Sequence, residues 1–260
     1  MGNHDMNNPM DLSGGHYLVT GASSGIGRGT ALVLDELGAT LVLAGRREDE
    51  LAKTAAALSR PARIEKMDLA RMSDLPSWLK RVAAETGPLD GIVHCAGIQV
   101  TTPLRYISEQ QFQNTLDVNL KSAVGLAKGY RQKGVCRTPG SIVFISSIAS
   151  LFGIPGQTAY AASKAGLEAA CRCIASELAR ENIRVNTILP GLVRTEMTEK
   201  WVQIVPPEKA AQLSATHPLG LGEVNDIAYT AAFLLGKKTG RWISGASIVI
   251  DGGSSECLYV

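Results

Sequence analysis

From residue 16 onward, short runs of β-rich, largely apolar sequence alternate with segments in which apolar side chains recur every three or four positions. HYLVT (16–20), TLVLAG (40–45), ARIEKMD (62–68), LDGIVHCAG (89–97), SIVFISS (141–147), NIRVNTILPG (182–191) and ASIVIDGG (246–253) read as strands. Residues 25–38, 48–58, 108–128 and 160–181 read as helices, as does the face made by Leu75, Trp78, Leu79 and Val82. Strands that are apolar on both faces and separated by helices form a parallel sheet covered on both sides. One doubly wound α/β domain is therefore expected over residues 13–260, with 1–12 as a flexible tail. The stretch 194–222 is rich in turn residues, and reads as a substrate lid or as a mobile loop.

Charge and cysteine usage narrow the function classes. Lys and Arg number 26 against 24 Asp and Glu, a net +2 that disfavours nucleic acid as the defining partner. No run approaches 18 apolar residues, and the first ten lack the apolar core of a signal peptide, so a soluble cytoplasmic protein is expected. The five cysteines contain no Cys-x-x-Cys pair, and the histidines at 4, 16, 94 and 217 have no metal-ligand spacing; no metal site is expected.

Between the first strand and first helix stands TGASSGIG, with Gly21, Gly25 and Gly27. A glycine turn leaving a strand lets backbone approach a pyrophosphate, while the helix N-terminus faces its charge. Tight turning and close helix–strand packing would account for the same glycines. The second strand ends in AGRR, where an NAD site usually carries a carboxylate. Arg46 and Arg47 instead suit a 2′-phosphate, unless they are a solvated pair opening a helix. Asp68 is a candidate partner for an adenine amino group or a turn residue.

Tyr160 and Lys164 lie four apart on a predicted helix and share a face. An ammonium ~5 Å from a phenol, at an effective dielectric of ~20, favours phenolate by roughly 3 kcal/mol, or about 2 pKa units. That would suit general acid–base catalysis. Ser147 ends the fifth strand, where open α/β sheets bind ligands, with Ser146 and Ser150 as rivals. Asn119, polar within LDVNL, needs a partner, either in a site or as a core amide bonded to backbone.

The order TGASSGIG, Asp68-Leu69, CAG (95–97), VNL (118–120), ISS (145–147), YAASK (160–164), PGLVRT (190–195), HPLGLGEVNDIA (217–228) and SGASIVIDGG (244–253) resembles the short-chain dehydrogenase/reductase family. The C-terminal third is most similar to its 3-oxoacyl-[acyl-carrier-protein] reductase-like members. The resemblance implies a single Rossmann-type domain with a seven-stranded parallel sheet, assembling as a homotetramer or dimer. It implies NADP(H)-dependent reduction of a carbonyl, or oxidation of a secondary alcohol, on a small molecule. Tyr160 would be the acid–base and Ser147 would orient the substrate oxygen. Lys164 would lower the tyrosine pKa and bind the nicotinamide ribose, and Asn119 would hold a relay water. Gly21, Ser23, Ser24, Gly25, Ile26 and Gly27 would surround the pyrophosphate. Arg46, Arg47, Asp68, Leu69, Ala96 and Gly97 would line the adenosine side and the cleft, and Pro190, Gly191, Val193 and Thr195 the nicotinamide.

The family commonly has Asn-Asn-Ala-Gly where this chain has His94-Cys95-Ala96-Gly97, so looser support of the cofactor is expected there. The substrate wall is expected from Gln99, Val100, Ala149, Leu151, Phe152, Met197 and Trp201. Arg131, Lys133 and Arg137 form either a solvated basic loop or a landing for an acidic carrier. An NAD-dependent dehydrogenase and a non-catalytic dinucleotide sensor are the alternative readings.

Overall fold

Seven parallel strands pair in the order β3-β2-β1-β4-β5-β6-β7. They are β1 (His16–Thr20), β2 (Thr40–Gly45), β3 (Arg63–Lys66), β4 (Leu89–His94), β5 (Cys136–Ile145), β6 (Ile183–Pro190) and β7 (Ser247–Ile250). The computed structural model describes residues 8–196, 198, 208 and 216–256. Successive residues of a strand feed opposite cores. Tyr17 and Val19 of β1 pack with Ala31 and Leu34 of α1 (Gly25–Glu36), Leu51 of α2 (Glu48–Ala56) and Ile227 of α7 (Val224–Leu235). Leu18 faces the other way. It shares a cluster with α3 (Leu75–Thr86), α5 (Ser122–Tyr130) and α6 (Thr158–Leu178). The uninterrupted apolar strands thus have helices on both faces, as their composition requires. α4 (Glu109–Leu116) packs on α6.

Departures from the expected elements have local causes. β3, at the sheet's edge, keeps only four residues after Pro61. β5 begins at Cys136, well before the predicted Ser141, and runs through a cis Thr138–Pro139 bond with an irregular register opposite Leu89 and Gly91. The helix predicted over 108–128 is interrupted by a π-helical turn, Asp117–Lys121. Leu12 is buried and its N–H donates to the Leu37 carbonyl at 2.8 Å, so the packed domain already includes residues expected in the tail. At the amino ends of the strands, buried Asp90 accepts from Arg137 (2.9 Å), Lys237 (2.8 Å) and the His16 N–H (3.0 Å).

β1 is flanked by β2 and β4, so chain direction diverges between β1 and β4. A crevice opens at their carboxyl ends. The 194–222 stretch leaves beyond β6. Its ends meet in a bridge between Val193 and Gly222, with Arg194 N–H on the Gly222 carbonyl (2.8 Å) and Gly222 N–H on the Leu192 carbonyl (3.0 Å).

Candidate active site

Gly21 leaves β1 with φ +68°, and a Cβ there would lie 2.8 Å from the Ala96 nitrogen. Two strand ends therefore touch backbone to backbone. A Cβ on Gly27 would lie 2.3 Å from the Gly21 carbonyl oxygen, which seats α1 against the turn. Because that obstacle is backbone, Gly27→Ala is expected to cost about 3 kcal/mol. The melting temperature should fall by about 6–12 °C; an unchanged melt would show that the turn can open.

α1 starts at Gly25. Its N-cap, Ser24, makes no side-chain capping bond, and the first turn holds no acidic residue. The Gly25 N–H instead donates to a Glu196 carboxylate oxygen at 2.9 Å, and Arg28 reaches the other oxygen at 3.2 Å. An anion already sits at this helix start, as unsatisfied N–H groups and the helix dipole favour. The two arginines after β2 separate. Arg47 donates to Ser23 Oγ (3.0 Å) and Ser24 Oγ (2.7 Å), bracing the loop. Among the described residues the exposed Arg46 side chain has no hydrogen-bond or ion-pair partner. Asp68 accepts from the Ala70 N–H at 3.1 Å, a turn bond, while Leu69 is buried.

Above the crevice, the three candidate serines have different partners. Ser146 is buried and turned into α6, donating towards the Lys164 carbonyl and Glu168 Oε1, both at 3.2 Å. Ser150 donates to the Ser147 carbonyl at 2.7 Å. Of the three, Ser147 is the one whose hydroxyl acts on the Tyr160 phenol, lowering its pKa. Its Oγ also accepts the Ala149 N–H at 3.1 Å, which leaves its proton for the phenol side. Lys164 Nζ lies 5.7 Å from the Tyr160 ring centre and donates to the Ile145 carbonyl at 2.8 Å. It would also stand 3.5 Å from a Cβ at Gly97. Asn119, in the π turn, accepts the Ile98 N–H (2.8 Å) and donates to the Ile98 carbonyl (2.9 Å) and Ser163 Oγ (3.0 Å). Strand β6 delivers Pro190 and Gly191 to the same end, with Gly191 N–H on the Ile250 carbonyl at 2.9 Å. Thr195 and Thr198 hydroxyls meet at 3.0 Å, and Thr198 donates to the Val193 carbonyl at 2.6 Å.

A family model described as Enoyl-(Acyl carrier protein) reductase matches residues 21–255. The 3-oxoacyl-[acyl-carrier-protein] reductase FabG of Thermotoga maritima is 34% identical over 251 residues, covering 94% of this chain and 99% of the relative. The protein of the same name from Rickettsia prowazekii is 34% identical over 245 residues, covering 94% and 98%. A solved short-chain type dehydrogenase/reductase from Mycobacterium ulcerans superposes with a TM-score of 0.86 at 32% identity, covering 94% of this chain and 90% of that one. The chain belongs to the short-chain dehydrogenase/reductase family. It is accordingly an oxidoreductase.

Two expectations meet particular surroundings in this dehydrogenase/reductase. Burial pushes the Tyr160 pKa above its ordinary value of 10.0, and only the Ser147 hydrogen bond pulls it back. Burial also brings Lys164 down to about 8. Lost hydration disfavours the charged form of each group. Secondly, both N–H groups of the Asn119 amide are spent on protein partners, so that side chain is a strut between the π turn and Ile98.

Several contributors lay outside the sequence reading. Ser163, inside YAASK, accepts from Asn119 and donates to the Tyr160 carbonyl at 2.7 Å. Thr20, His94 and Ser122 are buried and mutually bonded, which no spacing announces. Of the expected substrate wall, Val100, Leu151 and Phe152 are exposed and Ala149 is buried, while Met197 and Trp201 lie outside the described residues. Arg131 and Arg137 are committed to Glu181 and Asp90 rather than free for an acidic partner. Among the described residues, no helix is long and apolar enough to cross a membrane and no cluster of potential ligands could hold a metal ion.

Proposed function

We propose that this chain is a cytoplasmic NADP(H)-dependent reductase of small-molecule carbonyls. The juxtaposition of Ser147, Tyr160 and Lys164 at the carboxyl ends of the strands carries this reading. The nicotinamide, when bound, supplies hydride to the carbonyl carbon. Tyr160, kept protonated by burial, delivers the proton to the oxygen. The Ser147 Oγ accepts from the Ala149 N–H, and its O–H is available to donate to the same oxygen. Two fixed donors aimed at a developing alkoxide stabilise it without reorganisation. Lys164 keeps two N–H bonds beyond the one given to Ile145, enough to hold a ribose hydroxyl beside Gly97.

The loop 20–27 suits a dinucleotide on three counts. Its glycines allow close backbone approach, its helix start already takes a carboxylate, and Arg47 stiffens its serines. Arg46, uncommitted at the end of β2, is the group for a 2′-phosphate. NADPH is expected to bind at least about tenfold more tightly than NADH, and Arg46→Ala should erase most of that difference. Fluorescence titration with both dinucleotides measures it. Equal affinities in the wild type would remove the 2′-phosphate assignment and favour an NAD-dependent dehydrogenase. Ala162, Ala165, Ala169 and Cys173 form an exposed stripe of small side chains along α6, which supports assembly into a homotetramer or dimer. Oxidation of NADPH with acetoacetyl thioesters, cyclic ketones and sugar ketones would identify the carbonyl class. The 3-oxoacyl thioester is the first choice, from the named relatives.

A further inference from the structure

Below the crevice, a chain of polar groups runs from the cofactor-side backbone to the π turn. The Ala96 N–H donates to Thr20 Oγ1 at 3.3 Å, and Thr20 Oγ1 meets His94 Nδ1 at 2.7 Å. His94 Nε2 meets Ser122 Oγ at 2.9 Å, and Ser122 Oγ meets the Val118 carbonyl at 2.5 Å. Thr20, His94 and Ser122 are each at most 1% exposed. The Phe144 ring stands edge-on to the imidazole, at 85° and 6.1 Å between centroids.

One end of the chain determines every proton. The Val118 carbonyl can only accept, so Ser122 spends its single proton there. Ser122 must then accept from His94, which places a hydrogen on Nε2. A neutral imidazole has no second ring hydrogen, so Nδ1 accepts from the Thr20 hydroxyl. Thr20 in turn receives the Ala96 N–H. Charging the ring would put a hydrogen on both nitrogens and strand the Thr20 proton in a dry interior. Burial and the neighbouring Lys164 ammonium hold the His94 pKa at about 3, well below that event.

The two ends of the chain act on one short stretch of backbone, Ala96 directly and Ile98 through Asn119. Val118 precedes Asn119, whose amide clamps both the N–H and carbonyl of Ile98. Ala96, Gly97 and Ile98 are therefore held at both ends, and Gly97 is the residue facing Lys164. Where the family commonly has paired asparagines, this backbone is held by the polar chain and the Asn119 amide; the Cys95 thiol, raised to about 12 by burial, is inert packing.

We propose that His94 is a positioning residue for cofactor binding: a neutral imidazole with its hydrogen on Nε2, holding the Ala96–Ile98 backbone in register with the Asn119 turn. The proposal rests on the crevice taking a dinucleotide. Nitrogen-15 NMR of the wild type should show the Nε2–H form, with no titration where free histidine changes charge. His94→Leu keeps apolar bulk but removes both bonds. It should weaken NADPH binding about tenfold while kcat at saturating NADPH stays within about threefold. His94→Asn, with an acceptor for Thr20 and a donor for Ser122, should recover most of that affinity; a role in packing alone predicts no such rescue. Should the Leu variant fail to fold, Thr20→Val removes one hydroxyl and should give the same loss. An Nδ1–H form, or wild-type affinity in both His94→Leu and Thr20→Val, would overturn the proposal. A wild type that binds neither dinucleotide would overturn the functional reading first, and that result is separable from any variant's.

Discussion

Replacing Tyr160 with Phe is expected to lower turnover by about 10³-fold while leaving dinucleotide affinity within about twofold. The substitution removes one oxygen and keeps the ring, so the packing around α6 is preserved. In the proposed reaction the missing group is the proton donor to the substrate oxygen, with Ser147 donating to the same oxygen. The pH dependence follows from the same burial. A phenol raised above 10.0 is fully protonated at neutral pH, and loses its proton only as pH rises beyond the ordinary tyrosine range. The reduction rate contributed by this group should therefore stay level through neutral pH and fall only at strongly alkaline values. Stopped-flow NADPH oxidation under single-turnover conditions measures both effects. Turnover in the Phe variant within tenfold of wild type would show that the proton comes from elsewhere.

Lys164→Met should raise stability while reducing turnover by about 10²-fold or more. The native lysine has a pKa of about 8 against an ordinary 10.5, because its ammonium is buried without a carboxylate partner. Between those values the unfolded chain binds a proton that the native chain does not, so stability rises with pH across that window. Below pH 8 the full penalty is present, at most about 3 kcal/mol. Methionine keeps the apolar stem and removes the charge, but forfeits the bond to the Ile145 carbonyl, worth about 1 kcal/mol. A net gain of about 2 kcal/mol at pH 7 is expected, seen as a melting temperature higher by about 4–8 °C. The advantage should shrink as pH rises from 8 towards 10.5, where the wild-type lysine is neutral in the folded state. A Met variant less stable than wild type at pH 7 would show that the ammonium finds compensation in the fold.

Much of the architecture was legible because strands buried on both faces cannot hide their composition. Leu18 and Val19 point to opposite cores, and both must be apolar. The sequence shortens β5 because Pro139 and Gly140 are poor strand residues, yet the strand passes through both and pairs with β6 from Gly140 onward. The π turn was invisible because DVNLK reads as ordinary helix. Its offset is bound up with the tertiary contact from Asn119 to Ile98, 21 residues away.

Within the site, residue type and spacing located Tyr160 and Lys164 but could not rank Ser146, Ser147 and Ser150, whose difference lies in which way each hydroxyl turns. Nor could they separate Arg46 from Arg47. The acidic phenol was a Coulomb estimate made without the cost of drying the two groups, and that cost decides its sign. His94 enters the sequence reading as a failed metal ligand and as a departure from Asn-Asn-Ala-Gly, but not as a hydrogen-bonding link, since its partners Thr20 and Ser122 are 74 and 28 positions distant.

The hydrogen-bonded clasp between Val193 and Gly222 has an evolutionary consequence. An excursion whose two ends are pinned side by side behaves as a closed loop, and doubling such a loop's length costs only about 0.6 kcal/mol. Changes of length between those two residues are therefore cheap, provided the bonds that Glu196 and His217 make back to Gly25 and Leu192 are kept. Descendants could diversify in length here at little thermodynamic cost while keeping the clasp that closes the loop.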